Sequence, residues 1–109
     1  MSVNSEQLLE LLRDLVSSDA RDRERAADRS TDWVSAYSEA DGHMLAAVLS
    51  VCAACEPVHS ALEAQLHALL ALGEGGLTDT KTLTRLRAID RGSVPGPLRE
   101  YIDDLLETE

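Results

Sequence analysis

The stretch PVHSALEAQLHALLALG, residues 57–73, decides the fold class of this chain. Apolar residues recur in it at intervals of three and four, which is the spacing of one helix face. Pro57 suits the first turn of a helix, and Gly73 is predicted to end it as a left-handed cap. The stretch therefore predicts an amphipathic helix whose buried face comprises Val58, Ala61, Leu62, Leu66, Leu69 and Leu70.

The same periodicity elsewhere in the chain predicts five further helices. They are predicted from 5 to about 17, from 18 or 19 to 37, from 39 to 55, from about 79 to 91, and from 97 onward. The third helix in chain order, 39 to 55, is apolar nearly all round, so we expect it to be the most buried. Ala and Leu dominate the apolar residues and Phe is absent, which favours helix over strand. The 109 residues suit one domain. The sequence thus predicts an all-α fold with a single helical domain over 1–109.

Taken in pairs, the predicted helices start near residues 5, 39 and 79, a spacing typical of helical-hairpin repeats. The pattern resembles short HEAT or armadillo arrays in two stretches: residues 18–27, where Asp19 precedes Arg23 and an Ala pair, and residues 63–72. Gly75-Gly76 and the Pro-Gly-Pro turn at 95–97 depart from the family pattern. The resemblance implies three antiparallel helical hairpins in a HEAT-like right-handed stack. A compact orthogonal bundle gives nearly the same sequence pattern.

The acidity of the chain is unevenly distributed. Twenty Asp and Glu against ten Lys and Arg give a formal charge of −10, which excludes a nucleic-acid partner because phosphates would be repelled. All basic residues lie within 13–29 or 81–99, so residues 30–80 contain none. The arginines of the second helix are expected to pair with acids of the same helix. The excess negative charge therefore falls on the middle and last helices.

No catalytic or metal-binding constellation is predicted. Cys52 and Cys55 lie at the end of an apolar helix, where the negative end of the helix dipole disfavours a thiolate, and we interpret them as small buried core residues. A helix boundary at Pro57 separates them from His59 and His67, so a zinc site is not expected. No phosphate loop or nucleophile elbow is present. The sequence predicts no enzyme, no metal and no cofactor.

Two groups of residues are candidates for partner binding. Trp33 and Tyr37 are four residues apart on one predicted helix face; they either close the core or form a binding anchor, since interface hot spots are rich in Trp and Tyr. The acidic stripes of the fourth and last helices are either solvated surface or a docking face. The predicted partner-binding residues are Asp32, Trp33, Tyr37, Glu63, His67, Glu74, Asp103 and Asp104.

Small size, strong acidity, a helical scaffold and the lack of a catalytic constellation resemble the small acidic immunity proteins of bacterial toxin systems. That resemblance implies a non-catalytic module that presents its acidic surface to a basic protein partner, such as a toxin domain, and inhibits it. The alternative is a structural or regulatory helical-repeat adaptor that acts through peptide docking or a homodimer of the third and fourth helices.

The sequence also predicts a cytoplasmic location. No apolar run reaches the length of a membrane span, and the N-terminus lacks a secretory pattern, so no membrane partner is expected. Two cysteines are too few for a disulfide framework, which fits a reducing compartment.

Overall fold

Six α-helices and no strand make up residues 3–107, the part of the chain that the computed structural model describes. The all-α prediction with six helices is therefore confirmed. Short 3-10 segments lie at Val34–Ala36, Thr84–Ala88 and Arg91–Ser93. The helices are α1 (Ser5–Leu15), α2 (Ala20–Asp32), α3 (Glu39–Cys55), α4 (His59–Glu74), α5 (Thr80–Leu83) and α6 (Gly96–Glu107).

The helices are arranged in two layers. α1 packs on α2 and α3 packs on α4, while α2 makes its most extensive contact with α4, which also meets α6. α3 contacts α1 and also the α5 segment. The shortest dimension of the molecule is 18 Å, which matches two helices each about 10 Å across. α2, α4 and α6 therefore form one layer and α1, α3 and α5 the other. The HEAT-like stack and the orthogonal bundle both stay predictions.

The hydrophobic core is built mainly from leucine and contains residues of all six helices. α4 is the most buried helix, with eight buried residues in 16, against six in 17 for α3. The prediction that α3 is the most buried was wrong because α4 lies between α2 and α6 and has α3 behind it. The outer face of α3 reaches solvent, where Val51 is 50% exposed.

Polar side chains fix the starts of four helices. Asn4 accepts a hydrogen bond from the Gln7 backbone at 2.9 Å, and the Gln7 side chain accepts one from the Asn4 backbone at 3.0 Å, which forms a capping box. Asp19, Ser38 and Asp79 cap α2, α3 and α5. The starts predicted for the first three helices are confirmed.

α2 ends at Asp32 instead of continuing to Tyr37. The Ser30 hydroxyl donates to the Ala26 carbonyl at 2.8 Å, and Thr31 bonds the carbonyl four residues earlier in the same way. Such bonds compete with the backbone ladder and weaken the last turn of a helix. Residues 34–36 then form a 3-10 turn. Trp33 and Tyr37 consequently do not share a helix face, contrary to the prediction.

The ends of α4 also differ from the prediction. The helix begins at His59, after Pro57, because the Val58 backbone N–H donates to the Glu56 carboxylate at 3.1 Å and holds the chain extended there. Gly73 is helical, and Gly76 is the left-handed residue, with φ of 75°. The Leu77 N–H donates to the Leu72 carbonyl at 2.8 Å, and the Gly76 N–H donates to the Gly73 carbonyl at 3.0 Å, which is a Schellman motif.

The fifth helix is shorter than predicted. One α-helical turn, Thr80–Leu83, is followed by 3-10 residues as far as Ala88. Threonine is a weak helix former, and the Thr84 hydroxyl donates to the Thr80 carbonyl at 2.8 Å, which competes with continuation of the α-helix. Pro97 lies in the first turn of α6 as expected.

Candidate functional site

A groove of about 510 Å³ opens between α2, α4 and the start of α6, and we call it the acidic groove. It contains three carboxylates, two imidazoles and one phenol, and among residues 3–107 no Lys or Arg lines it. Two prolines and Leu98 supply an apolar wall at the α6 end. The lining residues are Glu24, Asp28, His59, Ser60, Glu63, Ala64, His67, Pro95, Pro97, Leu98 and Tyr101.

The three carboxylates of the acidic groove come from two helices. Glu24 and Asp28 are one turn apart on α2, and Glu63 lies on α4. Asp28 and Glu63 are exposed, and Glu24 is half-buried. Within residues 3–107, none of the three forms an ion pair. Because a cleft focuses the field of charges of one sign, this arrangement attracts cations.

An aromatic contact forms one wall of the acidic groove. The Tyr101 hydroxyl lies 2.6 Å from the Nδ1 atom of His67, within hydrogen-bond distance. The two rings meet edge to face, with centroids 6.4 Å apart and an interplanar angle of 86°. Burial raises the pKa of Tyr101, and the negative charges of Glu63 and Glu74 raise it further, so the phenol stays neutral at physiological pH.

A buried ion pair fixes α2 against the α3–α4 corner. Arg23 donates to both carboxylate oxygens of Glu56, from Nε to Oε1 at 2.7 Å and from Nη2 to Oε2 at 2.8 Å. The Gln65 amide donates to Glu56 Oε1 at 2.9 Å, and Arg23 Nη1 donates to the Ser17 carbonyl at 2.9 Å. The side chains of Arg23 and Glu56 are only 16% and 2% exposed. Two parallel charge-assisted bonds of this kind fix orientation as well as distance.

The pKa values of the pair follow from its contacts. Burial acts to raise the pKa of the Glu56 carboxyl, but the hydrogen bonds from Arg23, Val58 and Gln65 outweigh it and hold that pKa below its ordinary value. The hydrogen bond from Arg23 to Glu56 raises the pKa of the guanidinium. Both groups are therefore charged across the physiological range.

The arginines of α2 do not pair as the sequence predicted. Arg23 binds Glu56 at the end of α3, and Arg29 binds Asp14 of α1. Both partners lie outside α2: the buried Glu56 binds Arg23 through two parallel hydrogen bonds, whereas Arg29 and Asp14 form a partly exposed pair through a single contact. Glu24 and Asp28, which the sequence assigned to neutralising these arginines, are left to line the acidic groove.

The structure separates the predicted partner-binding residues. Glu63 and His67 line the acidic groove, whereas Glu74 lies further along α4 in a second groove. Asp103 forms a half-exposed ion pair with Arg91 at 3.1 Å, and Asp104 is exposed on α6.

Asp32, Trp33 and Tyr37 lie away from the acidic groove. Both aromatic rings pack against the hydrophobic core and are partly buried, while Asp32 is exposed at the end of α2. Burial raises the pKa of Tyr37 to about 12, against smaller lowering effects of Ser30 and Arg29.

Of the residues that line the groove, the sequence predicted only Glu63 and His67 as binding residues and missed Glu24, Asp28 and Tyr101 among others. Glu24 and Asp28 carry the i, i+4 spacing of one helix face, but the arginines between and beside them concealed the signal. Nothing in the sequence indicates that Tyr101 meets His67, 34 residues away. These contacts depend on how the helices pack.

The two cysteines are free thiols at the last turn of α3. Cys55 is exposed and Cys52 is half-buried, with its sulfur 3.7 Å from the Leu15 carbonyl. The prediction that both are core residues was wrong because α3 reaches the surface as it ends. Among the residues described, no group of three His, Cys, Asp or Glu side chains is placed to hold a metal ion.

Comparisons with models of protein families, with characterised proteins and with solved structures each gave no match. No helix within residues 3–107 has the length and apolar character needed to cross a bilayer. The fold and the groove together define the class: an all-α protein of two helical layers with an acidic groove along one layer.

Proposed function

We propose that this chain is a non-catalytic protein-binding module whose acidic groove receives a basic segment of a protein partner. One observation carries the proposal: Glu24, Asp28 and Glu63 converge from two helices on a groove that no Lys or Arg lines. Within residues 3–107 these carboxylates have no ion-pair partner, so a cationic ligand can satisfy them. Carboxylates arranged in this way accelerate encounter with a basic surface and fix its orientation.

The most concrete form of the proposal is an immunity- or antitoxin-type inhibitor of a basic bacterial toxin domain. The formal charge of −10 on 109 residues supports it, because charge complementarity gives such inhibitors fast association. The prolines and the Tyr101 ring beside the carboxylates support it as well, since they offer a rigid apolar wall for the stem of an arginine or lysine.

A single-partner surface accounts for α4 better than self-association does. The leucines of α4 that a homodimer would use, such as Leu62, Leu66 and Leu69, are at most 1% exposed because they form the core of the chain itself. The face of α4 left to solvent carries Glu63 and His67. That polar face favours a charged ligand over a second copy joined through leucine.

The experiment compares two double charge reversals. Asp28→Lys with Glu63→Lys changes the acidic groove, and Glu10→Lys with Glu39→Lys changes exposed residues outside it. Each variant replaces two negative charges with two positive ones, so both shift the formal net charge from −10 by the same amount. Proteins captured from the source cells by the wild type and both variants are then identified by mass spectrometry at about 50 and 200 mM salt, which brackets the range where exposed charges become screened.

We expect the wild type and the control variant to retain one basic protein at low salt, and the groove variant to lose it. Equal retention by the groove variant would contradict a role for the acidic groove. The inhibitor form has its own test: the captured protein should arrest growth when expressed alone, and co-expression of this chain should restore growth. If the captured protein is not toxic, the proposed binding module is supported but its toxin-inhibitor form is wrong.

A further inference from the structure

A second groove of about 320 Å³ continues along the same pair of helices, and we call it the lower groove. Its floor is formed by leucines, among them Leu70 of α4, Leu83 of α5 and Leu105 of α6. Gly73, Glu74 and Asp79 also line it, and all three are exposed, so the two carboxylates lie at its edge. As in the acidic groove, no Lys or Arg lines it.

The two grooves lie one after the other along α4 and α6, with the contact between His67 and Tyr101 at the end of the acidic groove, and we call the two grooves together the seam. Along α4 the lining passes from Glu63 and His67 in the acidic groove to Leu70 and Glu74 in the lower groove. Along α6 it passes from Tyr101 in the acidic groove to Leu105 in the lower groove. Both helices therefore run in the same direction beside the seam. Seven residues of helix, the separation of Glu63 from Leu70, correspond to about 10 Å. An extended chain spans that distance with three or four residues.

The polarity of the lining differs between the two grooves, whereas both grooves carry negative charge. The acidic groove offers three carboxylates, whereas the lower groove offers an apolar floor with carboxylates only at its edge. Leucine floors of this kind stabilise a bound apolar side chain by removing it from water. The negative edge selects against acidic neighbours of that side chain and favours basic ones.

We propose that the lower groove is a second subsite, which receives an apolar side chain from the same basic segment that enters the acidic groove. This inference rests on the proposed function. The recognised element is then a short stretch of the partner in which arginine or lysine is followed or preceded, at three to four residues in extended conformation, by a residue such as leucine. Both grooves carry carboxylates, so one basic segment is complementary in charge to both of them.

The test uses two labelled peptides of equal charge. One carries two central arginines with a leucine four residues to either side, so that either chain direction can reach the lower groove; the other has serine in place of each leucine. Fluorescence anisotropy gives the Kd of each peptide. We expect the leucine peptide to bind the wild type about tenfold more tightly, which is the effect of burying most of one leucine side chain.

A blocking variant assigns that preference to the lower groove. Gly73→Leu places a side chain there; Gly73 is helical, and a Cβ atom at that position meets only the Thr78 hydroxyl, at 3.2 Å. Ser18→Leu, an exposed residue outside both grooves, is the matched control. If thermal unfolding shows that Gly73→Leu is not folded, Thr80→Trp blocks the groove from another exposed residue of its lining.

The preference for leucine should fall to within twofold in the blocking variant and stay tenfold in the control. Equal binding of both peptides to the wild type, or a preference that survives the blocking variant, overturns the second subsite. The groove reversal Asp28→Lys with Glu63→Lys separates the two proposals, because it should weaken both peptides alike. If it weakens neither, the proposed function and the second subsite are both wrong; if it weakens both while leucine adds nothing, only the second subsite is wrong.

Discussion

Replacing Glu56 by Gln should destabilise the fold severely, although it removes only a charge and keeps the shape of the side chain. The side chain of Glu56 is 2% exposed and accepts four hydrogen bonds, from Arg23 twice, from Gln65 and from the Val58 backbone. The amide that replaces it can accept through only one oxygen. It also leaves the Arg23 guanidinium, 16% exposed, without its counter-charge.

The magnitude follows from the burial of the pair. Removing one partner of a buried ion pair typically costs about 3 to 5 kcal/mol because the remaining charge is left desolvated. Since Arg23 keeps a bond to the Ser17 carbonyl and some exposure, we expect the lower part of that range, about 3 kcal/mol. Small domains are stable by only about 5 to 15 kcal/mol, so the loss is a large fraction of the total.

Urea denaturation near neutral pH, followed by far-ultraviolet circular dichroism, measures the change. The matched control is Asp14→Asn, which breaks another cross-helix arginine pair, to Arg29, whose side chains are 36% and 38% exposed. An exposed pair contributes at most about 1 kcal/mol. The apolar double variant Arg23→Met with Glu56→Leu should be more stable than Glu56→Gln, because it removes both charges.

The pH dependence gives a second check on the same residue. Because folding lowers the pKa of Glu56 from its ordinary value of 4.5, its contribution is complete above that pH and is lost as the pH falls through the folded-state pKa. The difference between wild type and Glu56→Gln should therefore shrink in acid. A cost near that of Asp14→Asn, or a difference that is the same at pH about 3 and 7, would refute the account of the buried pair.

Three further predictions concern single side chains. Absorbance of tyrosinate during alkaline titration should show Tyr37 ionising near pH 12, because burial raises its pKa. The stability that this residue contributes should be lost as the pH rises from 10 towards 12. Ionisation of Tyr37 at pH 10 would show that the ring is solvated. A thiol reagent should modify Cys55 faster than Cys52, whose pKa is raised above all by burial, and equal rates would contradict the half-buried position of Cys52. Gly76→Ala should cost about 1 kcal/mol, since no atom lies within 4 Å of an added Cβ and only the positive φ opposes it; an unchanged melting temperature would show that the turn can adjust.

Sequence reasoning succeeded where one helix decides the outcome. The starts of α1, α2 and α3 and the leucine spacing of α4 are local signals, and the structure agrees with them. It failed where hydroxyl side chains compete with the backbone. Thr31 and Thr84 bond carbonyls four residues earlier, next to points where an α-helix gives way to 3-10 turns. Hydrophobic periodicity contains no information about that competition.

Only part of the candidate site could be predicted from the sequence, because its residues come from three helices. Glu63 and His67 follow from the polar face of one helix, so periodicity finds them. Glu24, Asp28 and Tyr101 reach the groove through the packing of α2 and α6 on α4, which no local pattern encodes. The charges of α2 balance along the sequence, but neutrality along a chain does not require that the charges meet in space.

The buried pair and the acidic groove are two consequences of one placement of α2. Arg23 lies on the side of α2 that faces Glu56, and Glu24, the next residue, is about 100° further round the helix, where it lines the groove. Asp28 is one turn beyond Glu24 on the same side. Because the bidentate pair fixes the rotation of α2, it also fixes where these carboxylates point and keeps Arg23 away from them. The arginine stabilises the fold, and because it faces Glu56 it does not line the groove that Glu24 and Asp28 line.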